Sequence, residues 1–227
     1  MSAELILFSI AIFELIFLTL LYKKKNNFLS APIIVNLILI SILGAKMIYV
    51  FGFKANAGNI FYGIATFFVF FLLEHYGAKT ATRAVWVSFL FIALFMILAQ
   101  MTISITGVPE TKKMEEALHA VFSVSLRIAL ASLLAFLVSQ TVNINVYQRL
   151  KTWTKNRHLW LRVNVSNIIT QLIDSIIFFS VAFITVLSSD VVELILTGFV
   201  IKVAVGLLST VFLYISYLSS HPHFEKE

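Results

Sequence analysis

Long apolar runs of this sequence contain ionisable side chains, among them Lys46, Arg127, Asp174 and Lys202. Glu74 closes a further apolar run. If such runs cross a bilayer, a central Lys, Arg or Asp costs about 2.5–3.5 kcal/mol on insertion scales. A charge kept at this cost either serves a functional site or pairs with another charge. These five residues are therefore the first candidates for binding a solute.

The run that contains Asp174 carries the most polar side chains. At about 100° per residue, five polar residues fall within roughly a third of the helix circumference: Asn164, Asn167, Gln171, Asp174 and Ser175. The stripe is interpreted either as hydrogen bonding between packed helices or as the wall of a cavity. We favour a cavity, because five polar groups exceed what packing needs and one of them is ionisable.

Two neighbouring runs supply partners for this stripe. The fifth run carries serines at heptad spacing, which are typical of close helix packing, and two amides near its end, Gln140 and Asn143, which are better ligand candidates. In the seventh run, Lys202 shares a face with Gly198 and Gly206. Small residues there permit close helix approach, so a buried ion pair between Lys202 and Asp174 is a second expectation.

Composition indicates the environment that positions these residues. Apolar residues make up 60% of the 227 residues and charged residues only 12%, against roughly 25% charged in a soluble domain. Apolar stretches near the ~20 residues that span a bilayer recur along the chain. They predict an all-α, polytopic membrane helix bundle, with one N-terminal helix (1–31) and a six-helix domain (32–227). The predicted spans are 5–22, 32–53, 60–74, 84–105, 118–142, 163–187 and 191–218.

The distribution of basic residues predicts the orientation. With the N-terminus outside and the C-terminus in the cytoplasm, eleven Lys and Arg residues fall in inside connections and three in outside ones. The positive-inside rule favours this arrangement in a plasma membrane. The net charge of +6 is then a topology signal and an attraction to anionic headgroups, and no nucleic-acid partner is expected.

Neither catalysis nor a bound cofactor is indicated. Cysteine is absent, and the five histidines show no metal-ligand spacing. No Gly-rich phosphate loop or nucleotide-binding module is recognisable. The sequence therefore predicts no enzyme, no metal site and no cofactor, and it leaves a homo-oligomer open.

Several short motifs, in order along the helices, carry a family resemblance. The two longest are segment 162–178, which contains Asn164, Gln171 and Asp174, and segment 131–140, which leads into Tyr147. The shorter ones are Glu74-His75-Tyr76-Gly77 (followed by Arg83), Gly44-Ala45-Lys46 and Lys202-Val203. Together they resemble the queuosine-precursor transporters of the vitamin uptake transporter family, from about residue 41 to 214. The N-terminal helix is an addition to the usual six.

The resemblance implies import of small planar 7-deazaguanine bases, such as 7-cyano-7-deazaguanine or its relatives. Asp174, Gln171, Asn164, Gln140 and Asn143 would then contact the solute, and Lys46, Arg127, Lys202 and Glu74 would complete the site. Four positions depart from the family pattern. Phe70 and Asn143 stand where Asp is common, Ser41 where Asn is common and Val211 where Pro is common. The exact substrate and any proton coupling stay open.

Two other classes of function remain as alternatives. One is a substrate-binding membrane subunit, for another vitamin-like or nucleobase solute, that needs a separate energising complex. The other is a structural or assembly protein in which the polar stripe only packs helices together. Transport by the purified chain alone in liposomes would rule out the first alternative. In the second, substitution of Asp174 by Asn would lower the folded yield without any dependence on a ligand.

Overall fold

The computed structural model describes residues 3–22, 29–44, 46–122, 126–182 and 189–220. Within these ranges the chain forms eight α-helices, a 3₁₀ turn at Pro109–Thr111 and one two-stranded hairpin. The helices are α1 (Ala3–Tyr22), α2 (Ala31–Leu43), α3 (Asn59–His75), α4 (Gly77–Ile103), α5 (Lys112–Phe122), α6 (Leu126–Trp153), α7 (Leu159–Ala182) and α8 (Ser189–Ser220). The expected helical class is confirmed.

Helix α3 forms the centre of the bundle. Every residue from 60 to 73 is buried, and α3 contacts α1, α2, α4, α6 and α8. A helix that is apolar on all sides is stable only when neighbours cover all of it. The polar side chains of α3 consequently face other helices and not the surroundings.

The predicted second span (32–53) is wrong as a single helix. Helix α2 ends at Leu43, and strands β1 (Met47–Val50) and β2 (Phe53–Asn56) then pair antiparallel, with Val50 opposite Phe53. The two residues between the strands have positive φ, 50° at Phe51 and 84° at Gly52. Such a pair forms a tight two-residue hairpin turn that matches the twist of the strands.

The remaining boundaries depart less from expectation. Helix α4 begins at Gly77, seven residues before the predicted 84, because a φ of +80° at Gly77 lets the chain turn directly out of α3. Helix α6 continues past 142 as far as Trp153. The predicted fifth span starts inside α5. Residues 123–125 of that span and residues 183–187 of the predicted sixth span lie outside the described residues.

Two helical segments of the described chain are long and apolar enough to cross a bilayer, Gly77–Ile103 and Ile195–Tyr217. Ala31–Leu43 and Asn59–His75 are shorter apolar helices. Large apolar side chains face outward, among them Phe13, which is 72% exposed, and Met101, which is 61% exposed. A surface of this kind is suited to lipid.

Helices α6, α7 and α8 position the polar face of α7. The turn between α6 and α7 uses positive φ at Lys155, Asn156 and His158, so the two helices run antiparallel. Helix α8 is antiparallel to α7 as well, since Asp174 contacts Lys202 while Asn164 contacts Thr210. The polar side chains of α7 therefore meet α3, α6 and α8 in successive layers.

Candidate functional site

The first polar layer joins one residue from each of four helices. The Tyr62 hydroxyl of α3 donates to Asp174 Oδ1 of α7 at 2.6 Å, and it lies 3.0 Å from Ser139 Oγ of α6. Lys202 Nζ of α8 donates to Asp174 Oδ2 at 2.8 Å. Because the Tyr62 proton goes to the carboxylate, the Ser139 proton is shared between the Tyr62 hydroxyl and the Phe136 carbonyl, which lies 3.2 Å away. Both carboxylate oxygens are thus held from neighbouring helices.

The ion pair expected between Lys202 and Asp174 is confirmed, and it is nearly dehydrated. The Lys202 side chain is 13% exposed and that of Asp174 5%. The ammonium also lies 4.4 Å from the centroid of the Tyr62 ring, in a cation–π contact. Removing one partner of a buried pair costs about 3–5 kcal/mol, because the other charge is left uncompensated.

The second layer begins one turn further along α3, at Thr66. The Thr66 hydroxyl donates to the Tyr62 carbonyl at 3.0 Å. Gln140 Nε2 donates to Thr66 Oγ1 at 3.1 Å, and Asn143 Nδ2 donates to Gln140 Oε1 at 3.1 Å. The four side chains are at most 8% exposed. This chain of bonds connects α3 to the two amides expected on α6.

Helix α7 extends this layer with two more amides, Gln171 at the level of Asn143 and Asn167 one turn further along. Gln171 Nε2 donates to Asn167 Oδ1, one turn away, at 3.2 Å. Gly206 of α8 lies against Asn167 so closely that a Cβ atom there would come within 2.0 Å of Nδ2. Glycine at 206 therefore makes room for the Asn167 side chain.

Three amide atoms of this layer have no partner within the described part of the chain: Asn143 Oδ1, Asn167 Nδ2 and Gln171 Oε1. A buried polar atom without a hydrogen bond costs about 1–3 kcal/mol. Native folds keep few of them, and each one calls for an occupant such as a water or a ligand.

A third polar cluster surrounds Glu74, at the far end of α3. The Arg162 guanidinium donates to Glu74 Oε1 at 2.8 Å, Lys151 Nζ lies 3.3 Å from Oε2, and the Tyr147 hydroxyl donates to Oε2 as well. Arg162 also donates to the carbonyls of residues 156 and 157 in the α6–α7 turn. Since Arg162 is 1% exposed, this cluster ties three helices and a turn together.

Five of the predicted site residues come together in the first two layers: Asp174, Gln171, Gln140, Asn143 and Lys202. Asn164, Glu74 and Lys46 lie away from these layers.

Asn164 is ten residues from Asp174, about 15 Å along α7, and it bonds to the Trp160 carbonyl and to Thr210. Glu74 is twelve residues from Tyr62, about 18 Å along α3. Lys46 is exposed next to the hairpin, because α2 has already ended. The Arg127 side chain lies outside the described part of the chain.

Sequence reasoning missed several members of these clusters. Tyr62 and Thr66 carried no interpretation, Ser139 was one of the serines typical of close helix packing, and Arg162 counted only among the basic residues of the inside connections. A signal was available for two of them. Tyr62 and Thr66 are hydroxyl residues one turn apart in an otherwise apolar helix, a spacing that indicates a polar face.

A bundle of apolar helices around a dehydrated ion pair and buried amides is typical of membrane transport proteins. The chain matches the family described as "Putative vitamin uptake transporter" over residues 56–216. It is also 35% identical over 176 residues to a Bacillus subtilis (strain 168) protein named "Probable queuosine precursor transporter", a match that covers 74% of each chain. No solved structure matches the chain. The protein belongs to the vitamin uptake transporter family.

Proposed function

We propose that the protein imports 7-deazaguanine precursors of queuosine or archaeosine, such as 7-cyano-7-deazaguanine, across the plasma membrane. Membership of the family and the name of the Bacillus relative favour a queuosine-precursor solute. The observation that carries the proposal is the set of buried amides around Asp174, between four helices of an otherwise apolar protein. Such a set is far more polar than helix packing needs.

The chemistry of the two layers suits a flat heterocycle. An ionised carboxylate has about four acceptor positions, and Tyr62 and Lys202 occupy two of those on Asp174. The others remain for ring N–H groups of the solute. The ring of Tyr62 meets that of Phe136 edge-on, with centroids 6.5 Å apart, and provides an apolar surface beside the carboxylate.

The charge balance favours an uncharged solute. Lys202 already compensates Asp174, and Arg162 compensates Glu74. A cationic solute would lose its hydration without gaining an unpaired carboxylate in either cluster, which is unfavourable in a dry site. A nitrile substituent meets this requirement at neutral pH, whereas an aminomethyl group carries a charge.

The orientation of the site follows from the distribution of basic residues. With seven spans and the N-terminus outside, the α6–α7 turn lies in the cytoplasm. Asp174 is fifteen residues into α7, about 22 Å from its start, near the middle of the membrane. The Glu74 cluster then closes the bundle on the cytoplasmic side.

Uptake of labelled 7-cyano-7-deazaguanine into liposomes that contain the purified chain alone tests this function. Per folded protein incorporated in the liposomes, Asp174→Asn should lower uptake by about 10- to 150-fold, the loss of one hydrogen bond to a charged group. Glu110→Gln, an acid exposed on the protein surface, is the matched control and should transport normally. Uptake by Asp174→Asn at the control rate would remove this residue from the site. No uptake by the wild-type chain alone would favour a capture subunit that needs an energising complex.

A further inference from the structure

The three unpartnered amide atoms of the second layer form a pattern of two acceptors and one donor. They belong to Asn143, Asn167 and Gln171, whose side chains are at most 1% exposed. The oxygen and nitrogen of an amide have nearly the same size, so the pattern depends on what fixes each orientation.

The orientation of Asn143 is fixed by its neighbours. The Thr66 hydroxyl donates to a backbone carbonyl, so its oxygen must accept from Gln140. The other end of the Gln140 amide is then an acceptor, and Asn143 must donate to it. The free atom of Asn143 is consequently an acceptor oxygen.

The pair on α7 gives the same result in either orientation. Gln171 and Asn167 bond to each other, so one of the two free atoms is an oxygen and the other is an NH₂ group, whichever residue donates. Together with Asn143, the layer offers two acceptors and one donor. This pattern is complementary to a solute edge with two N–H groups and one carbonyl oxygen.

Asn143 and Gln171 lie at one level of the bundle, and Asn167 is one turn, about 6 Å, further along α7. Ser139 and Asp174 both contact the Tyr62 hydroxyl, so they are level with each other. Asn143 is four residues beyond Ser139, and Gln171 is three residues before Asp174. Because α6 and α7 are antiparallel, both steps lead the same way, by about 4.5–6 Å.

Resting on the function proposed above, we infer that Asn143, Asn167 and Gln171 bind the 2-amino-4-oxo edge of the solute and determine which heterocycles are accepted. The two oxygens accept from the ring N–H and the 2-amino group, and the NH₂ group donates to the 4-oxo oxygen. Asp174, one layer away, is left for the N–H of the five-membered ring on the other side of the base.

Ligands with changes confined to this edge test the inference on the wild-type protein. The parent is 7-cyano-7-deazaguanine. One analogue lacks the 2-amino group, and the other carries 4-amino in place of 4-oxo, which also turns the neighbouring ring N–H into an acceptor nitrogen. Each change leaves a buried amide unpaired, so each analogue should bind about 10- to 100-fold more weakly. Affinities come from thermal stabilisation of the detergent-purified protein over a ligand titration.

Variants assign the effect to residues. One of the two amide oxygens accepts from the 2-amino group. At least one of the variants Asn143→Leu and Gln171→Leu should therefore lose the preference for the parent over the analogue without the 2-amino group. The controls are Asn145→Leu and Gln148→Leu, exposed amides on α6, which should keep the preference. If a Leu variant does not fold, the affinities of the wild-type protein for the parent and the analogues still test the inference.

The outcomes separate this inference from the proposed function. If the parent stabilises the protein but the analogues bind equally well, water alone occupies the amide layer and the inference is wrong. A preference that both Leu variants retain also contradicts it, while the proposed function stands. Absence of any stabilisation by the parent contradicts the proposed function itself.

Discussion

Replacement of Lys202 by Met isolates the energetic role of the buried ion pair. The variant keeps the length of the side chain but leaves the Asp174 carboxylate, 5% exposed, without its counter-ion. Loss of one partner of such a pair costs about 3–5 kcal/mol. Since 1 kcal/mol shifts the melting temperature of a chain of this size by about 2–4 °C, Lys202→Met should melt about 6–20 °C below wild type.

Removal of both charges should reverse most of this loss. In the double variant Asp174→Asn and Lys202→Met no buried charge is left unpaired, and neutral replacements of buried ion pairs are often tolerated. The Tyr62 hydroxyl can still donate to the amide oxygen of the substituted side chain, which replaces Oδ1 of Asp174. Stability should therefore return to within about 1–2 kcal/mol of wild type, although uptake stays lost.

Thermal unfolding of the three proteins in one detergent measures these differences. Lys112→Met, at an exposed position, is the matched control and should change stability by less than about 0.5 kcal/mol. The reasoning fails if Lys202→Met melts within 2–4 °C of wild type (about 1 kcal/mol). It also fails if the double variant is less stable than the single one, because the charges would then not act as a pair.

Two further predictions concern other contacts. Arg162→Lys should destabilise the protein by about 1.5–3 kcal/mol, because one ammonium cannot donate to Glu74 and to two turn carbonyls together. Thermal melts measure this loss, and melting at the wild-type temperature would contradict it. Gly206→Ala should displace Asn167, since its Cβ would lie 2.0 Å from Nδ2. We expect about tenfold weaker solute binding in a ligand titration, and unchanged binding would show that Asn167 does not depend on this gap.

The sequence predicted the polar face of α7 because helical periodicity depends only on local spacing. Gln171 and Asp174 fall on one side whatever surrounds the helix, and both are buried. The partner Lys202 was predictable for a similar reason, since an isolated charge in an apolar run needs an opposite charge.

Local sequence could not predict whether residues 47–56 form a helix or strands. A short apolar run of this kind satisfies a helix and a strand equally well, so the hairpin and the exposed position of Lys46 next to it depend on the turn at Phe51 and Gly52. The same applies to the length of the second span, which the hairpin shortens.

Only the tertiary structure decided which polar groups meet. Arg162 reads as a cation beside a loop, yet it pairs with Glu74, 88 residues away. Likewise Thr66, a single hydroxyl in an apolar helix, fixes the orientation of Gln140 through a contact 74 residues distant. Periodicity indicates which face of a helix is polar, but the neighbour that covers this face is set by packing between helices. The polar face of α7 therefore follows from the sequence, and the membership and hydrogen-bonding pattern of the site follow from the fold.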